Sequence, residues 1–245
     1  MSTKKTYDFT VDLQRVDFQT NIKLSMLGDL LLTTAGMNAD DNGFGFKDLQ
    51  KNNYGWVLIR FAIEMKRYPL QYEKISIQTW VEDVNRAFTT RNFNIFDEKG
   101  EIIGSSASNW VAISEETRKP IDLELLAGLK EKASKEAGLI EKSARVGKVN
   151  AEVSDSFTVR YNDIDINNHV NSIRYIQWIT NLFSLDTFRE KYVQRFDINY
   201  MDEAVWGDKI DICYEEKAED DFLVEIKSNE KTACRARLLW KKRDK

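Results

Sequence analysis

The chain has 245 residues, of which 42% are hydrophobic and 31% are charged, and its formal net charge is −4. This composition predicts a globular protein of one large or two small domains, and it disfavours general nucleic-acid binding, which normally leaves a basic footprint. No stretch approaches the ~20 apolar residues of a membrane-spanning helix. The only two cysteines, Cys213 and Cys234, argue against a disulfide framework and fit a reducing cytoplasm.

The first half of the chain predicts a short strand, two helices and then four strands. Apolar spacing favours a helix over residues 21–35 and a short one over residues 46–53. Strands are indicated by "WVLIRFAIEMKRY", "KISIQTWVEDV", "TTRNFNIFDE" and "IIGSSASNWVAIS". Residues 122–149 are rich in Leu, Lys, Glu and Ala, a composition that predicts a helical connector.

The second half predicts the same succession of elements. The segment "HVNSIRYIQWITNLFSLDTF" has apolar residues at helical spacing, and Asn167 or Asn168 could cap its N-terminus. The runs "RFDINY", "DKIDICYEE", "FLVEIKSN" and "ACRARLLWKK" follow it, and their alternation indicates strands of a sheet with one buried face.

Two matches within the chain indicate a tandem duplication. "FTVDLQRVDFQTNI" at 9–22 aligns with "FTVRYNDIDINNHV" at 157–170, and "RFAIEMKRYPLQYEKISI" at 60–77 aligns with "RFDINYMDEAVWGDKIDI" at 195–212. Two registers in the same order predict a repeated unit of roughly 100–130 residues. Each unit is one helix wrapped by an antiparallel sheet, so we predict an α+β fold, a tandem (double) hotdog.

The predicted boundaries follow from this repeat. We expect a first hotdog unit at residues 1–121, a helical connector at 122–149 and a second hotdog unit at 150–245.

The repeat also singles out candidate catalytic residues, because matched positions can be compared. His169 is the only histidine of the chain, and histidine changes charge near neutral pH. The second unit has Asp165, Asn167, His169 and Glu203 where the first unit has Asp17, Gln19, Asn21 and Tyr68. Only the second unit therefore carries a set of residues suited to acid–base chemistry.

These residues also allow other interpretations. "DIDINN" begins like a calcium loop, but Asn168 and Arg174 stand where that loop needs glycine and a bidentate carboxylate. One histidine and two distant cysteines do not make a zinc site, and no nucleotide or flavin motif is present. A plain structural interpretation remains open, in which Asn and Asp cap a helix, His169 is merely exposed, and Glu203 is a satisfied structural carboxylate.

The segment "YNDIDINNHVNSIRYIQWI" resembles the signature of the acyl-ACP thioesterases, the family of the plant plastid enzymes. "NNYGWVLIRFAIEMKRYPLQYEKISIQTWV" and "NWVAISEETRKP" resemble first-unit blocks of the same family, in the same order. Two positions depart from its usual pattern: Ala204 replaces a cysteine, which excludes a cysteine–histidine mechanism, and Ser172 replaces an asparagine. No secretion signal or transit peptide is recognisable, so we expect a bacterial cytoplasmic enzyme.

The resemblance implies hydrolysis of fatty acyl-ACP in fatty acid biosynthesis. It implies that Asp165, Asn167, His169 and Glu203 are catalytic. Glu203 could act as general base on water, or Asp165 could attack the thioester directly. His169 would protonate the leaving thiolate, Asn167 would position water or a carboxylate, and the helix starting near His169 would supply oxyanion donors.

The resemblance also implies binding surfaces. The first unit is expected to supply the acyl pocket, lined by Met26, Leu27, Leu30, Leu31 and Trp56. The acidic acyl carrier protein would dock on basic residues, for which the candidates are Arg118, Lys119, Lys130, Lys132, Lys135, Lys142, Arg145 and Lys148. No cofactor, metal, nucleic acid or membrane is expected, and a homodimer is compatible with the family. The alternatives are an acyl-CoA thioesterase of the same fold and a non-catalytic acyl-binding protein.

Overall fold

The structure is a computed structural model that describes residues 3–243. The chain divides into two compact units, one ending at Lys142 (unit 1) and one beginning at Ser143 (unit 2). The division falls inside the predicted connector.

Unit 1 consists of two helices and a five-stranded antiparallel sheet. Its elements are β1 (Lys5–Thr10), α1 (Leu24–Asp41), α2 (Phe46–Gln50), β2 (Tyr54–Met65), β3 (Lys74–Val84), β4 (Thr89–Phe96) and β5 (Ile102–Ser114). Within this unit the strand order is β1-β3-β4-β5-β2. The fully buried aromatic side chains Phe61, Trp80 and Phe93 belong to its sheet.

Helix α1 is longer than the sequence predicts, because its buried face continues past Ala35 through Asn38 and Ala39. This face changes from apolar to polar along the helix. Leu27 and Leu31 are fully buried in its first half, and Thr34 and Asn38 are fully buried in its second half. The Asn38 Oδ1 atom accepts a hydrogen bond from Arg91 Nη1 on β4 at 2.7 Å, so the polar end of α1 bonds the sheet.

Unit 2 repeats the arrangement. Its elements are β6 (Val153–Thr158), α3 (Ser172–Thr180), α4 (Leu185–Glu190), β7 (Lys191–Tyr200), β8 (Lys209–Ala218), β9 (Asp221–Ser228) and β10 (Lys231–Lys242). Within this unit the strand order is β7-β10-β9-β8-β6, again antiparallel. Helix α3 packs on the sheet through ring contacts of Trp178 with Phe157 and of Tyr175 with Tyr200.

The single helix predicted after His169 is in fact two helices. Helix α3 ends at Thr180, and Ser184 begins α4 by accepting the Thr187 backbone N–H at 3.2 Å. Because Ser184 caps the N-terminus of α4, it does not lie in the interior of one continuous helix.

The predicted helical connector is wrong. Residues 122–149 contain only two short 3-10 turns, Leu123–Leu125 and Lys130–Lys132, with no α-helix. Tertiary contacts override the helix-forming composition. In unit 1, the Ser134 N–H donates to Val81 O at 2.9 Å, and Trp80 Nε1 donates to Glu136 O at 2.8 Å.

The connector residues of unit 2 bond its sheet in the same manner. The backbone N–H of Val146 donates to Asn199 Oδ1 at 2.8 Å, and Val146 is buried with Cys213 and Leu223. The backbone of this segment is therefore engaged with strands and their side chains, which leaves it unavailable for helical bonds.

The α+β tandem hotdog is confirmed, since each unit is an antiparallel sheet with one principal helix on it. Of the helices in residues 3–243, none has both the length and the apolar character needed to cross a membrane.

Candidate active site

A tight loop in unit 2 presents His169. The Asp165 backbone N–H donates to His169 O at 2.8 Å, and the Asn168 N–H donates to Asp165 O at 3.1 Å. Asn168 has a positive φ of 63°, a conformation that asparagine tolerates better than most residues. The Asp165 Oδ1 atom accepts the Asn167 backbone N–H at 2.8 Å. The loop is thus held closed by its own backbone and by the Asp165 carboxylate.

A second loop, which follows β7, carries Glu203 to this one. The Val170 N–H donates to Ala204 O at 2.8 Å, and His169 forms an antiparallel bridge with Val205. The Asp208 carboxylate accepts the Val205 N–H at 3.0 Å and stabilises the turn that follows. The residues next to His169 and Glu203 in the chain are therefore joined by backbone bonds.

These two loops bring an imidazole and a carboxylate together. His169 Nε2 lies 3.3 Å from Glu203 Oε2, and their side chains are 25% and 41% exposed. The two side chains are close enough to share a proton when the hydrogen bond tightens on a bound substrate. Because both are partly exposed, each can also reach a substrate or a water molecule.

The other two predicted catalytic residues lie in the same loop but have different environments. The Asp165 carboxylate is engaged by the Asn167 backbone N–H, which gives it a structural role in the loop. Asn167 is exposed. The structure therefore brings His169 and Glu203 into contact and places Asp165 and Asn167 beside them along the chain.

The predicted helix start near His169 is wrong. Helix α3 begins at Ser172, and its N-cap is Asn171, whose side-chain oxygen accepts the Ile173 N–H at 2.8 Å. Residues 168–170 do not form a first helical turn, because Asn168 has a positive φ of 63° and Val170 forms an antiparallel bridge with Ile164. The helix N-terminus is accordingly not at His169.

The corresponding loops of unit 1 have the same backbone and different chemistry. The Asp17 N–H donates to Asn21 O at 2.8 Å, Thr20 has a φ of 63°, and the Ile22 N–H donates to Pro69 O at 2.9 Å. The Asn21 side chain is turned to a local bond, in which Nδ2 donates to Gln19 O at 3.1 Å. Unit 1 thus reproduces the frame without a histidine–carboxylate pair.

Tyr175 of α3 was not predicted as a site residue. Its side chain is buried, and its ring lies against those of Trp178 and Tyr200 at centroid distances of 5.2 and 5.8 Å. Burial raises the pKa of Tyr175 well above its usual value. The repeat marks this position as different in the two units, since Leu27 occupies the matching position of unit 1.

The residues predicted to line the acyl pocket fall into two groups. Leu27, Leu30 and Leu31 are buried on α1, and Met26 is half-buried on the same helix. Trp56 packs in another cluster of unit 1, against residues that include Phe44, and its Nε1 donates to Phe44 O at 2.8 Å. The four α1 residues therefore lie in the first half of that helix, whereas Trp56 packs against a cluster that includes Ala39 near the other end of the helix.

Neither cysteine has the environment of a nucleophile. Cys213 and Cys234 are both buried, and burial raises the pKa of each thiol. A raised pKa disfavours the thiolate, which is the nucleophilic form.

The acidic residues of the loop serve as caps. Asp163 Oδ2 accepts the Arg160 N–H at 2.8 Å, in the same manner as Asp165 accepts the Asn167 N–H. Within residues 3–243, no group of three or more His, Cys, Asp or Glu side chains is arranged to hold a metal ion.

Family models match both units of the chain. The model of the acyl-ACP thioesterase N-terminal domain matches residues 2–125, and the model of the C-terminal domain matches residues 147–242. Among curated proteins, the chain is 32% identical over 155 residues to the acyl-[acyl-carrier-protein] hydrolase FATB2 of Cuphea viscosissima, which covers 60% of this chain and 37% of that protein.

A second curated relative covers more of the chain. The chain is 24% identical over 240 residues to the oleoyl-acyl carrier protein thioesterase of Coriandrum sativum, which covers 88% of this chain and 63% of that protein. The chain thus spans less than two thirds of the length of the curated relatives it matches.

Solved structures match over nearly the whole chain. An acyl-ACP thioesterase from Bacteroides thetaiotaomicron is similar with a TM-score of 0.92 and 40% identity, covering 98% of both chains. The 12:0-ACP thioesterase from Umbellularia californica has a TM-score of 0.89 at 19% identity, covering 99% of both chains, and shows similarity of fold alone.

Proposed function

Because the chain belongs to the acyl-ACP thioesterase family, we propose that it hydrolyses fatty acyl-ACP to free fatty acid and ACP in fatty acid biosynthesis. The observation that carries the proposal is the 3.3 Å contact between His169 Nε2 and Glu203 Oε2. Unit 1 has Asn21 and Tyr68 at the matching positions, on the same backbone frame. A purely structural role would not require acid–base groups in one unit only.

In the proposed mechanism, Glu203 is the general base. It accepts a proton from a water molecule that attacks the thioester carbonyl, and the tetrahedral intermediate then expels the phosphopantetheine thiolate. His169 donates a proton to this thiolate, so that free thiol and free acid result. Proton sharing across the 3.3 Å contact resets the pair after each turnover. The exposed carboxamide of Asn167 positions the water.

Asp165 is the competing nucleophile, and its contacts favour the general-base mechanism. One of its carboxylate oxygens already accepts the Asn167 N–H, and Asp17 makes the same kind of bond to Gln19 in unit 1. Because the aspartate caps the loop in this way in both units, its presence in unit 2 is explained by loop structure and does not require a nucleophilic role.

The His169 backbone N–H is the proposed oxyanion donor. Its counterpart in unit 1, the Asn21 N–H, donates to Asp17 Oδ1 at 3.0 Å. The His169 N–H has no such bond to any residue that the structure describes. One well-placed donor to an oxyanion is worth roughly 2.7–4 kcal/mol.

The acyl chain is proposed to bind along the apolar half of α1 in unit 1, formed by Met26, Leu27, Leu30 and Leu31, with Trp56 as a further contact. Each buried methylene contributes about 0.8 kcal/mol, so two carbons change affinity roughly fifteen-fold. A single substitution such as Leu30→Ala would therefore shift the preferred chain length.

The acyl carrier protein is the proposed partner, and the basic residues of the connector are its docking candidates. Arg145 and Lys148 are exposed. Lys142 is paired with Glu82, and Lys132 bonds the Asn42 carbonyl, which makes these two poorer candidates. A cytoplasmic location and a homodimer belong to the same proposal.

Thiol release from matched acyl-ACPs and acyl-CoAs of several chain lengths tests this function. We expect acyl-ACPs to be preferred, and His169→Ala and Glu203→Ala to lower kcat/KM by at least about 100-fold. Glu230→Ala, at an exposed position in the turn after β9, is the matched control and should leave the rate unchanged. Preferred turnover of acyl-CoA would mean that the substrate's carrier is coenzyme A and not ACP. If neither substrate is cleaved faster than by the variants, hydrolysis is contradicted and a non-catalytic acyl-binding protein is favoured.

A further inference from the structure

We propose that Trp206 and Ile166, two exposed apolar residues on the loops that carry Glu203 and His169, bind the pantetheine arm of the acyl carrier. This arm is the neutral, amide-containing chain that ends in the thioester sulfur. The inference rests on the proposed function, because the arm belongs to the substrate proposed above.

Trp206 lies at the tip of a tight turn next to the pair. The Asp208 N–H donates to Val205 O at 3.2 Å, and Gly207 has a φ of 87°, so Trp206 is the second residue of a β-turn. The residue that starts this turn, Val205, forms the antiparallel bridge with His169. The Trp206 side chain is 71% exposed. A large apolar ring is thus presented to solvent one residue away from the bridge.

Ile166 lies at the tip of the other loop in the same way. The Asn168 N–H donates to Asp165 O at 3.1 Å, which makes Ile166 the second residue of that turn, and its side chain is 82% exposed. In an antiparallel pair, residues that precede one member of a bridge run beside residues that follow the other. Ile166 precedes His169 and Trp206 follows the residue bridged to it, so the two tips lie beyond the same end of the bridge.

The proposed mechanism puts the arm at this end of the bridge. Glu203 precedes the bridged residue of its loop and Trp206 follows it, so His169 lies between the base and the two turn tips along the paired loops. The attacking water is beside Glu203, and His169 protonates the leaving sulfur. The arm continues from that sulfur, on the side of His169 away from Glu203, where Ile166 and Trp206 are exposed.

The charge of these loops favours the neutral arm over the carrier protein itself. Residues 159–171 and 201–208, which form the two loops, contain one arginine and five carboxylates, namely Asp163, Asp165, Asp202, Glu203 and Asp208. An acidic carrier protein is repelled by such a surface and docks away from it. The pantetheine chain has no charge, and its amides and methyl groups can pack on an indole ring and an aliphatic side chain.

Unit 1 shows that the turn itself does not need a tryptophan. In the matching turn, the Glu73 N–H donates to Leu70 O at 3.1 Å, and Gln71 stands at the position of Trp206. The same backbone turn thus forms with a polar residue at its tip. An exposed indole forgoes the free energy that its burial would provide. The turn alone therefore does not explain the tryptophan.

The test compares substrates that contain different lengths of the arm. Acyl-ACP and acyl-pantetheine contain the whole pantetheine chain, whereas an acyl-N-acetylcysteamine thioester keeps only the end next to the sulfur. The variant is Trp206→Gln, because Gln71 shows that the turn accepts glutamine. We expect its KM to rise about ten-fold for the first two substrates with kcat within two-fold, since truncation of a packed tryptophan has an effect of this size. For the acyl-N-acetylcysteamine, kcat/KM should stay within two-fold.

Two further variants complete the comparison. Ile166→Ala should raise KM for the same two substrates as Trp206→Gln does. Tyr72→Gly is the matched control, because it removes an exposed aromatic ring from the matching turn of unit 1, where unit 2 has Gly207, and it should change KM for no substrate. Equal losses with all three substrates, no loss with any of them, or a loss confined to acyl-ACP would each overturn the proposal.

Binding of an inert analogue separates this inference from the proposed function. An S-alkyl pantetheine, in which a thioether replaces the thioester, cannot be hydrolysed, and calorimetry measures its Kd. We expect this Kd to rise about ten-fold in Trp206→Gln and to be unchanged in Tyr72→Gly. Equal affinity of the parent and Trp206→Gln would overturn the arm site. An inactive parent protein whose affinity still depends on Trp206 would contradict the proposed function alone.

Discussion

Asn21 occupies in unit 1 the backbone position that His169 occupies in unit 2. The carbonyl of each accepts the N–H of an aspartate four residues earlier at 2.8 Å, and the residue before each has a φ of 63°. The residue after each donates its N–H to the loop that follows β2 or β7. The frame is therefore the same in both units, and only the side chains differ. Most of the predictions below use one unit as the control for the other.

His169→Asn should abolish most activity without unfolding the protein. Unit 1 shows that this loop accepts asparagine, so we expect the free energy of unfolding to stay within about 0.5 kcal/mol of the parent. The rate of acyl-ACP hydrolysis should fall at least about 100-fold, because asparagine cannot transfer a proton at neutral pH. Urea unfolding and thiol release measure the two effects. A folded variant with more than half of the parental rate would contradict the assignment of His169.

Asp165→Ala should destabilise the protein, and Asp17→Ala should do so by more, because Asp17 Oδ1 also accepts the Asn21 N–H at 3.0 Å. Each carboxylate accepts the N–H of the residue two positions later at 2.8 Å. Loss of such a cap costs about 1 kcal/mol, which urea unfolding can measure.

Activity then distinguishes a cap from a nucleophile. We expect Asp165→Asn to lower kcat far less than Glu203→Gln does. If Asp165→Asn keeps the parental stability and loses more activity than Glu203→Gln, direct attack by Asp165 replaces the general-base mechanism.

Thr20→Asn should stabilise unit 1. Thr20 adopts a φ of 63°, which is unfavourable for a β-branched residue, and Asn168 adopts the same φ in unit 2. We expect a gain of about 0.5–1 kcal/mol from relief of this strain. The reverse change, Asn168→Thr, should cost a similar amount. Equal stability of all three proteins in urea would show that the left-handed conformation is not strained at this position.

The two cysteines should be dispensable for catalysis. Both are buried with raised pKa values, and Ala204 stands next to Glu203. We expect Cys213→Ala to keep the parental kcat, and native protein to react slowly with a thiol reagent without losing activity. Cys234→Ala should lower stability through a small cavity while leaving kcat within about two-fold. Rapid inactivation by the thiol reagent would contradict the carboxylate mechanism.

Stability should fall in mild acid, in part through Glu225. Burial raises the pKa of this carboxyl, but hydrogen bonds from Arg235 Nε at 2.7 Å and Thr232 Oγ1 at 3.0 Å outweigh burial and leave the pKa below its usual value. A carboxyl with a lowered folded-state pKa stabilises the protein above its unfolded pKa of about 4.3, and this contribution is lost as pH falls through the folded value.

Glu225→Gln checks that contribution. It should be less stable than the parent at pH 7 and should show a shallower decrease in the free energy of unfolding below about pH 4.3. Glu230→Gln, at an exposed position in the turn after β9, is the matched control. Parallel pH profiles for parent and Glu225→Gln would contradict the lowered pKa.

Most of the fold was predictable because it follows from local patterns. Alternating burial identified the strands of both sheets, and the repeat identified the two units. The connector at residues 122–149 was not predictable, because its composition favours a helix and its backbone instead bonds strands of each sheet. The start of α3 lies later than predicted because Asn168 has a positive φ and Val170 forms an antiparallel bridge with Ile164.

The sequence by itself determined the duplication, the α+β class and the set of residues that distinguishes unit 2 from unit 1, because these depend on residue types and on periodic burial along the chain. Only the tertiary structure decided that His169 Nε2 meets Glu203 Oε2, and that the Val170 N–H bonds the Ala204 carbonyl. The physical reason is that these contacts join distant parts of the chain. They depend on backbone hydrogen bonds between loops, which no local pattern of residues specifies.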